Sequence, residues 1–152
     1  VGLELPVRGY PIQVNVTEPI APIVQHLVYS ASGQLTLKQT RHGTCIIGGG
    51  WPSCIDPLSG RLQVESESVI RNLQLAIETV PRLRHSHLVR TWPAMVNGTE
   101  SWQPILGEVP NVRGFVTNVF PWMGFTGGPA SSKLTADWML GHCHSTGFEY
   151  AH

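Results

Sequence analysis

Hydrophobic and polar positions alternate loosely from Val7 to Glu18, with Val7, Gly9, Pro11 and Gln13 set against Ile12, Val14 and Val16. That is the period of a strand in which Pro11 marks an edge or irregular position. Thr17-Glu-Pro-Ile-Ala-Pro interrupts it, and three more strand-like segments follow at His26–Ser30, Gln34–Thr40 and Thr44–Gly48. Their connections, Ala31-Ser-Gly33 and Arg41-His-Gly43, are short and carry glycine, so an antiparallel meander is the economical reading. Within the second segment Leu35, Leu37 and Gln39 share one face, and Thr36, Lys38 and Thr40 the other.

The period then changes. Over residues 66–80, Val69, Ile70, Leu73, Ile77 and Val80 form one stripe, acidic residues occupy the first turn and Pro81 ends the run, which predicts a helix laid over the sheet. His87–Val96 reads as a last strand of the same layer, running into a turn at Asn97-Gly98. Thr99–Gly107 turns the chain back, Val109–Gly114 is a second tight connection, and Phe115, Val116 and Val119 make a closing strand. After it comes the glycine-rich turn Gly124–Gly128. A helix opened by Pro129 follows, with Ala130, Leu134 and Trp138 on one stripe, Ala136 and Leu140 nearby, and Gly141 as the C-terminal cap. The fold class expected is α+β: an antiparallel or mixed sheet covered by a helix, plus a C-terminal strand-turn-helix.

Composition narrows the partners. The 152 residues carry no net charge and are 41% hydrophobic and 13% charged, so nothing electrostatic points to nucleic acid or an acidic membrane surface. No apolar run approaches the roughly 20 residues of a membrane span, and no leader pattern stands at the start, so a cytoplasmic protein is expected. Cys45, Cys54 and Cys143 are an odd number at uneven spacing and fit reduced thiols. Asn15-Val-Thr and Asn97-Gly-Thr match the glycosylation pattern by chance. The chain opens on Val1-Gly-Leu-Glu, in what reads as the middle of a fold, and is expected to be a fragment of a longer protein.

Five features could carry chemistry. Cys45–Ser53 begins like a dinucleotide fingerprint, but Ser53 stands where a third glycine is needed, and Pro52, Asp56-Pro57 and Ser59-Gly60 preclude the helix that must follow. Gln39 closes an apolar face; it is either a buried amide bonded to backbone or a residue facing a substrate. His42 reads as a solvated turn residue. His142-Cys-His144 collects metal-ligating types, but with no second ligand pair elsewhere it is read as chance, and no metal is expected. Gly124, Phe125, Thr126, Gly127 and Gly128 form the layout that aims bare backbone N–H groups at an anionic or electron-rich ligand.

The order of these segments resembles a known family. Leu5-Pro-Val-Arg-Gly-Tyr-Pro, Val16-Thr-Glu-Pro, Leu37-Lys-Gln-Thr, Ile46-Ile-Gly-Gly, the helix ending Val80-Pro, Arg90-Thr-Trp, Pro104-Ile-Leu-Gly107 and Gly124-Phe-Thr-Gly-Gly-Pro-Ala…Ala136-Asp together resemble the C-terminal part of the D-amino-acid oxidase superfamily. Within it the chain looks closest to the branch of sarcosine oxidase beta-subunits, glycine oxidases and D-hydroxyproline dehydrogenases. The resemblance implies FAD as cofactor, a small amine or amino acid as substrate, and oxidation of a carbon–nitrogen bond by hydride transfer to the flavin. It implies that residues 3–99 roof the substrate and that residues 100–152 belong to the flavin domain, whose dinucleotide-binding part lies before Val1, with other subunits as further partners. It also implies that Gly124–Gly128 meets the flavin ring, with Trp122 and Met123 beside the substrate. Where family members carry carboxylate-binding arginines this chain has Trp122 and Val96, leaving Arg41 or Arg90 to supply a clamp, and Ser101 replaces the usual acidic residue. A non-catalytic binding module with the same architecture is the alternative expectation.

Overall fold

The computed structural model describes residues 2–30 and 33–142. The chain divides into two compact units, one of Tyr10–Met95 and one combining Val1–Gly9 with Val96–His152.

A five-stranded sheet of order β2-β3-β4-β1-β7 dominates the first unit. Its members are β1 (Val7–Pro19), β2 (Val28–Ser30), β3 (Leu35–Gln39), β4 (Thr44–Gly48) and β7 (Leu88–Thr99). The meander forms as the glycine-bearing connections require: Leu37 pairs with both Val28 and Ile47 in antiparallel ladders. β1 adds antiparallel to β4 with Asn15 opposite Ile47, and its register shifts between Val16 and Pro19, where proline cannot donate to the ladder. A short hairpin, β5 (Cys54–Ile55) with β6 (Leu62–Gln63), follows the glycines after β4. The Asp56 carboxylate fixes its turn by accepting from the N–H groups of Leu58 and Ser59.

Helix α1 (Ser66–Thr79) covers one face of this sheet. Leu35, Leu37, Cys45, Ile47, Ala76 and Leu83 form the closed core, with Leu73, Leu75, Ile77 and Val80 packed around it. The stripe expected from sequence is rotated. The fully buried helix positions are Ser68, Asn72 and Ala76, whereas Ile70 is 56% exposed. The cause is the inward face of β1, which is polar: Gln13, Asn15 and Thr17 are all buried. Asn15 Nδ2 donates to Asn72 Oδ1, Asn72 Nδ2 donates to the Gly48 carbonyl, and Thr91 Oγ1 donates to Asn15 Oδ1. Gln13 both donates to the Glu65 carbonyl and accepts from the Glu65 N–H, and Thr17 Oγ1 accepts from the Cys45 N–H. These side chains of β1 and α1 thereby recover hydrogen bonds they lose with water, and α1 turns to meet them.

In the second unit β8 (Ile105–Glu108) and β9 (Val116–Val119) form an antiparallel hairpin, with Gly107 opposite Thr117. Asn111, in the left-handed region at φ 67, makes its connection tight. β8 was not foreseen from sequence, because four residues after Pro104 show too little alternation to register. β7 runs through Asn97-Gly98, and the turn falls one step later, where the Trp102 N–H reaches the Thr99 carbonyl at 3.1 Å.

Helix α2 spans Gly124–Met139 and packs on this hairpin. It starts at Gly124, five residues before Pro129, so Pro129 lies inside the helix and Gly124–Gly128 is its first turn rather than a loop ahead of it. The expected stripe of Ala130, Leu134 and Trp138 is also displaced: Ala130 and Leu134 are exposed, Ser131 is buried, and Thr135 and Trp138 are half-buried. Gly141 caps α2 as expected, with φ 73 and its N–H on the Trp138 carbonyl. Cys143 and His144 lie outside the described residues.

Candidate functional site

α2 places its open end where ligand chemistry is possible. The first helical bond within reach of its start is Gly127 N–H to the Met123 carbonyl at 2.8 Å, with Thr126 N–H to the same carbonyl at 3.0 Å. The N–H groups of Gly124 and Phe125 precede these bonds and take no backbone partner among the described residues. They sit at the positive end of the helix dipole, where electron-rich oxygen is stabilised. A side chain added at Gly124 would meet nothing within 4 Å, so a ligand can approach the backbone there, and the Phe125 ring is 99% exposed.

The remaining glycines do different work. A Cβ on Gly127 would stand 2.2 Å from Phe120 Cζ, so this glycine is required for α2 to close onto the Phe120 ring. Gly128 faces open space, and its carbonyl accepts from Ser131 Oγ. This turn thus has a ligand-accessible side at Gly124–Phe125 and a packing side at Gly127.

Just ahead of α2, Trp122 and Trp102 meet edge to face, with ring centroids 6.1 Å apart and planes at 84°. Both residues adopt left-handed backbone, at φ 58 and φ 59. A tryptophan in that region costs about 1–2 kcal/mol relative to ordinary backbone. Nothing in the sequence marks the left-handed backbone at these two positions, since aromatic residues normally avoid it. Met123, beside Trp122, is exposed and supplies the carbonyl that starts the helix.

Gln39 is bonded to backbone through both ends of its amide. Its Oε1 accepts from the N–H groups of Ile23 and Val24, and its Nε2 donates to the carbonyls of Ile20, Ala21 and Gly43. The whole amide is committed to pinning the segment after β1, which is the structural one of the two readings the sequence allowed.

The sheet itself has a second face. Because Gln13, Asn15 and Thr17 point to α1, Val14 and Val16 point away from it, as do Thr36, Ile46 and Gly48. A Cβ on Gly48 would lie near Thr36 Oγ1 and Val14 Cγ2, which puts these residues on one surface. On β7, Thr91 faces Asn15, so Arg90 and Trp92 share the opposite side, with the guanidinium 5.3 Å over the indole. Val14, Val16 and Ile46 on this face are apolar and half-buried, and stand outside the core cluster under α1. A sheet with one face left to water normally shows polar residues there.

Among the described residues no group of three or more histidine, cysteine or acidic side chains is placed to hold a metal, and no helix is long and apolar enough to cross a membrane. Burial raises the thiol pKa of Cys45, which marks it as a packing residue rather than a nucleophile.

Known proteins agree with this layout. The sarcosine oxidase subunit beta of an Arthrobacter species is 29% identical over 136 residues, covering 89% of this chain and 33% of that protein. The sarcosine oxidase subunit beta of Rhodobacter capsulatus is 28% identical over 137 residues, covering 90% and 32%. The chain thus spans about a third of the length of the curated relatives it matches. Among solved structures, L-proline dehydrogenase from P. horikoshii superposes with a TM-score of 0.81 at 24% identity, covering 98% of this chain and 40% of that one. Glycine oxidase from Geobacillus kaustophilus does so with a TM-score of 0.77 at 24% identity, covering 99% and 39%. At that identity the likeness fixes the fold alone: this α+β arrangement is shared with those two enzymes. The family signature described as DAO, FAD dependent oxidoreductase, matches residues 2–138, and the chain therefore belongs to that family.

Proposed function

We propose that this chain is the substrate-covering sheet and flavin-side helix of a longer FAD-dependent oxidoreductase that oxidises the carbon–nitrogen bond of an amine or amino acid. The observation that carries the reading is the family match over residues 2–138, nearly the whole chain. When bound, FAD supplies the acceptor for the hydride leaving the carbon next to nitrogen; water then hydrolyses the imine product.

The chain's own residues supply placement and electrostatics. The N–H groups of Gly124 and Phe125, at the positive end of α2, would hold the electron-rich part of the flavin and would stabilise the negative charge that grows there on reduction. The bare Cα of Gly124 admits close approach, Thr126 adds a hydroxyl on the same turn, and Gly127 and Gly128 hold the turn in register through Phe120 and Ser131. Separately, the apolar face of Val14, Val16 and Ile46 excludes water from the ligand it covers. On that face Arg90 and Lys38, the latter opposite Ile46, are cations that could meet a substrate carboxylate.

The complete protein should purify yellow and lose its flavin colour when N-methylglycine or proline is added without oxygen. A folded, colourless full-length protein overturns the reading.

A further inference from the structure

We propose that the surface around the 3-10 helix Pro81–His85 docks an acidic segment of a partner polypeptide, seating an apolar side chain in a cleft and carboxylates on Arg82 and Arg84. The cleft holds about 210 Å³ between Ile20, Ala21 and Ile23 on one side and Arg82, His85 and Ser86 on the other. A second, of about 280 Å³, shares Arg82 and His85 as lining and adds Pro81 and Arg84. All these residues belong to the unit Tyr10–Met95. Leu83, inside the 3-10 helix, is buried in the core with Ala76 of α1, so the clefts lie on the helix-covered side of the sheet, away from Val14, Val16 and Ile46. Their walls are fixed before anything binds. Gln39 accepts from the Ile23 and Val24 N–H groups and donates to the Ile20 and Ala21 carbonyls, while Ser86 gives both its N–H and its hydroxyl to the Leu83 carbonyl. A partner therefore meets little ordering cost on this side of the contact.

Charge selects the occupant. Arg82, Arg84 and His85 are exposed and form no ion pair among the described residues. Glu18, just before Ile20 in the chain, is already engaged: its carboxylate accepts from the His87 N–H and meets His87 Nδ1 at 2.6 Å. Glu78, exposed in the last turn of α1, pairs with neither arginine. The C-terminal end of α1 carries about half a negative charge, less than two guanidinium groups bring, so complementing the helix uses only part of the pair. Planar guanidinium groups fit carboxylates in bidentate fashion. A phosphate or a nucleic-acid backbone gains nothing from Ile20, Ala21 and Ile23, and a single small acid in the first cleft leaves Arg84 unmet. An extended acidic segment with an apolar anchor meets all of them. The inference stands apart from the flavin reading.

The test is fluorescence anisotropy of the full-length protein with the labelled peptide EDLEELE, against QNLQQLQ, which lacks the charge, and EDSEESE, which lacks the apolar anchors. The first should bind about tenfold or more tightly than either control, and its affinity should fall with added salt. Arg82→Gln combined with Arg84→Gln should weaken it by about tenfold. Ala21→Phe, which fills the cleft from an exposed position with both arginines in place, should weaken it by a similar factor. Because these side chains are exposed, the thermal midpoint should stay at the wild-type value in each variant. No binding of EDLEELE, equal binding of either control, or unchanged binding in both the double arginine variant and Ala21→Phe overturns the proposal.

Discussion

Asn72 is fully buried and sits at the centre of the polar seam between α1 and the sheet. Asn72→Ala would strand the Asn15 amide and the Gly48 carbonyl without water, at a cost of about 2–4 kcal/mol, read as a lower urea midpoint. Gln74→Ala, on the exposed side of the same helix, should leave that midpoint nearly unchanged. Two adjacent glycines give a second residue-scale contrast. Gly127→Ala drives a methyl into the Phe120 ring and should cost about 1–3 kcal/mol, partly restored by Phe120→Leu. Gly128→Ala meets nothing and should gain about 0.5–1 kcal/mol from helix preference. Equal thermal shifts for the two would mean that the ring contact does not hold α2. The alternation along β1 was legible in the sequence. Which side met the helix was not, because Gln13, Asn15 and Thr17 become inward-facing only when partners from α1, β4 and β7 arrive.

Helix ends show what local sequence can and cannot fix. α1 was readable: its acidic start, its period and Pro81 all agree, and Glu65 caps it by accepting from the N–H groups of Glu67 and Ser68. Those bonds, the Ser68 N–H first, hold the Glu65 carboxyl below its ordinary pKa. A carboxyl depressed in the folded state adds stability above its unfolded pKa, and that share is lost as pH falls through the folded value. The stability gap between the wild type and Glu65→Gln should therefore be widest near neutral pH and close under acid conditions. A gap independent of pH would deny the carboxylate its capping role. α2 was misread at its start because proline is favoured in a first turn, and five small or flexible residues ahead of Pro129 look like a loop. Tertiary contact decides otherwise: Gly127 on Phe120 draws the turn into the helix.

At the scale of the molecule, the sheet of Tyr10–Met95 has one face whose purpose is internal and one whose purpose lies outside the unit. The core of Leu35, Leu37, Cys45 and Ile47 under α1 accounts for folding. Val14, Val16 and Ile46 take no part in that core, and under the function proposed above their apolar character would serve a ligand or a further part of the protein laid against them. Sequence alone could place apolar residues on both faces, but it could not say which was closed by the chain itself. The two faces should therefore fail in different assays. Val16→Glu puts a charge on the outward face and should move the urea midpoint by about 1 kcal/mol or less, yet strip flavin or abolish turnover in the full-length protein. Asn15→Leu, one position away, breaks the seam to Asn72 and Thr91 and should lower the midpoint severalfold more, while flavin is retained by the fraction that remains folded. If Val16→Glu unfolds the protein as severely as Asn15→Leu, the outward face is part of the folding core and the covering role falls. If it leaves flavin content and turnover intact, the ligand lies elsewhere.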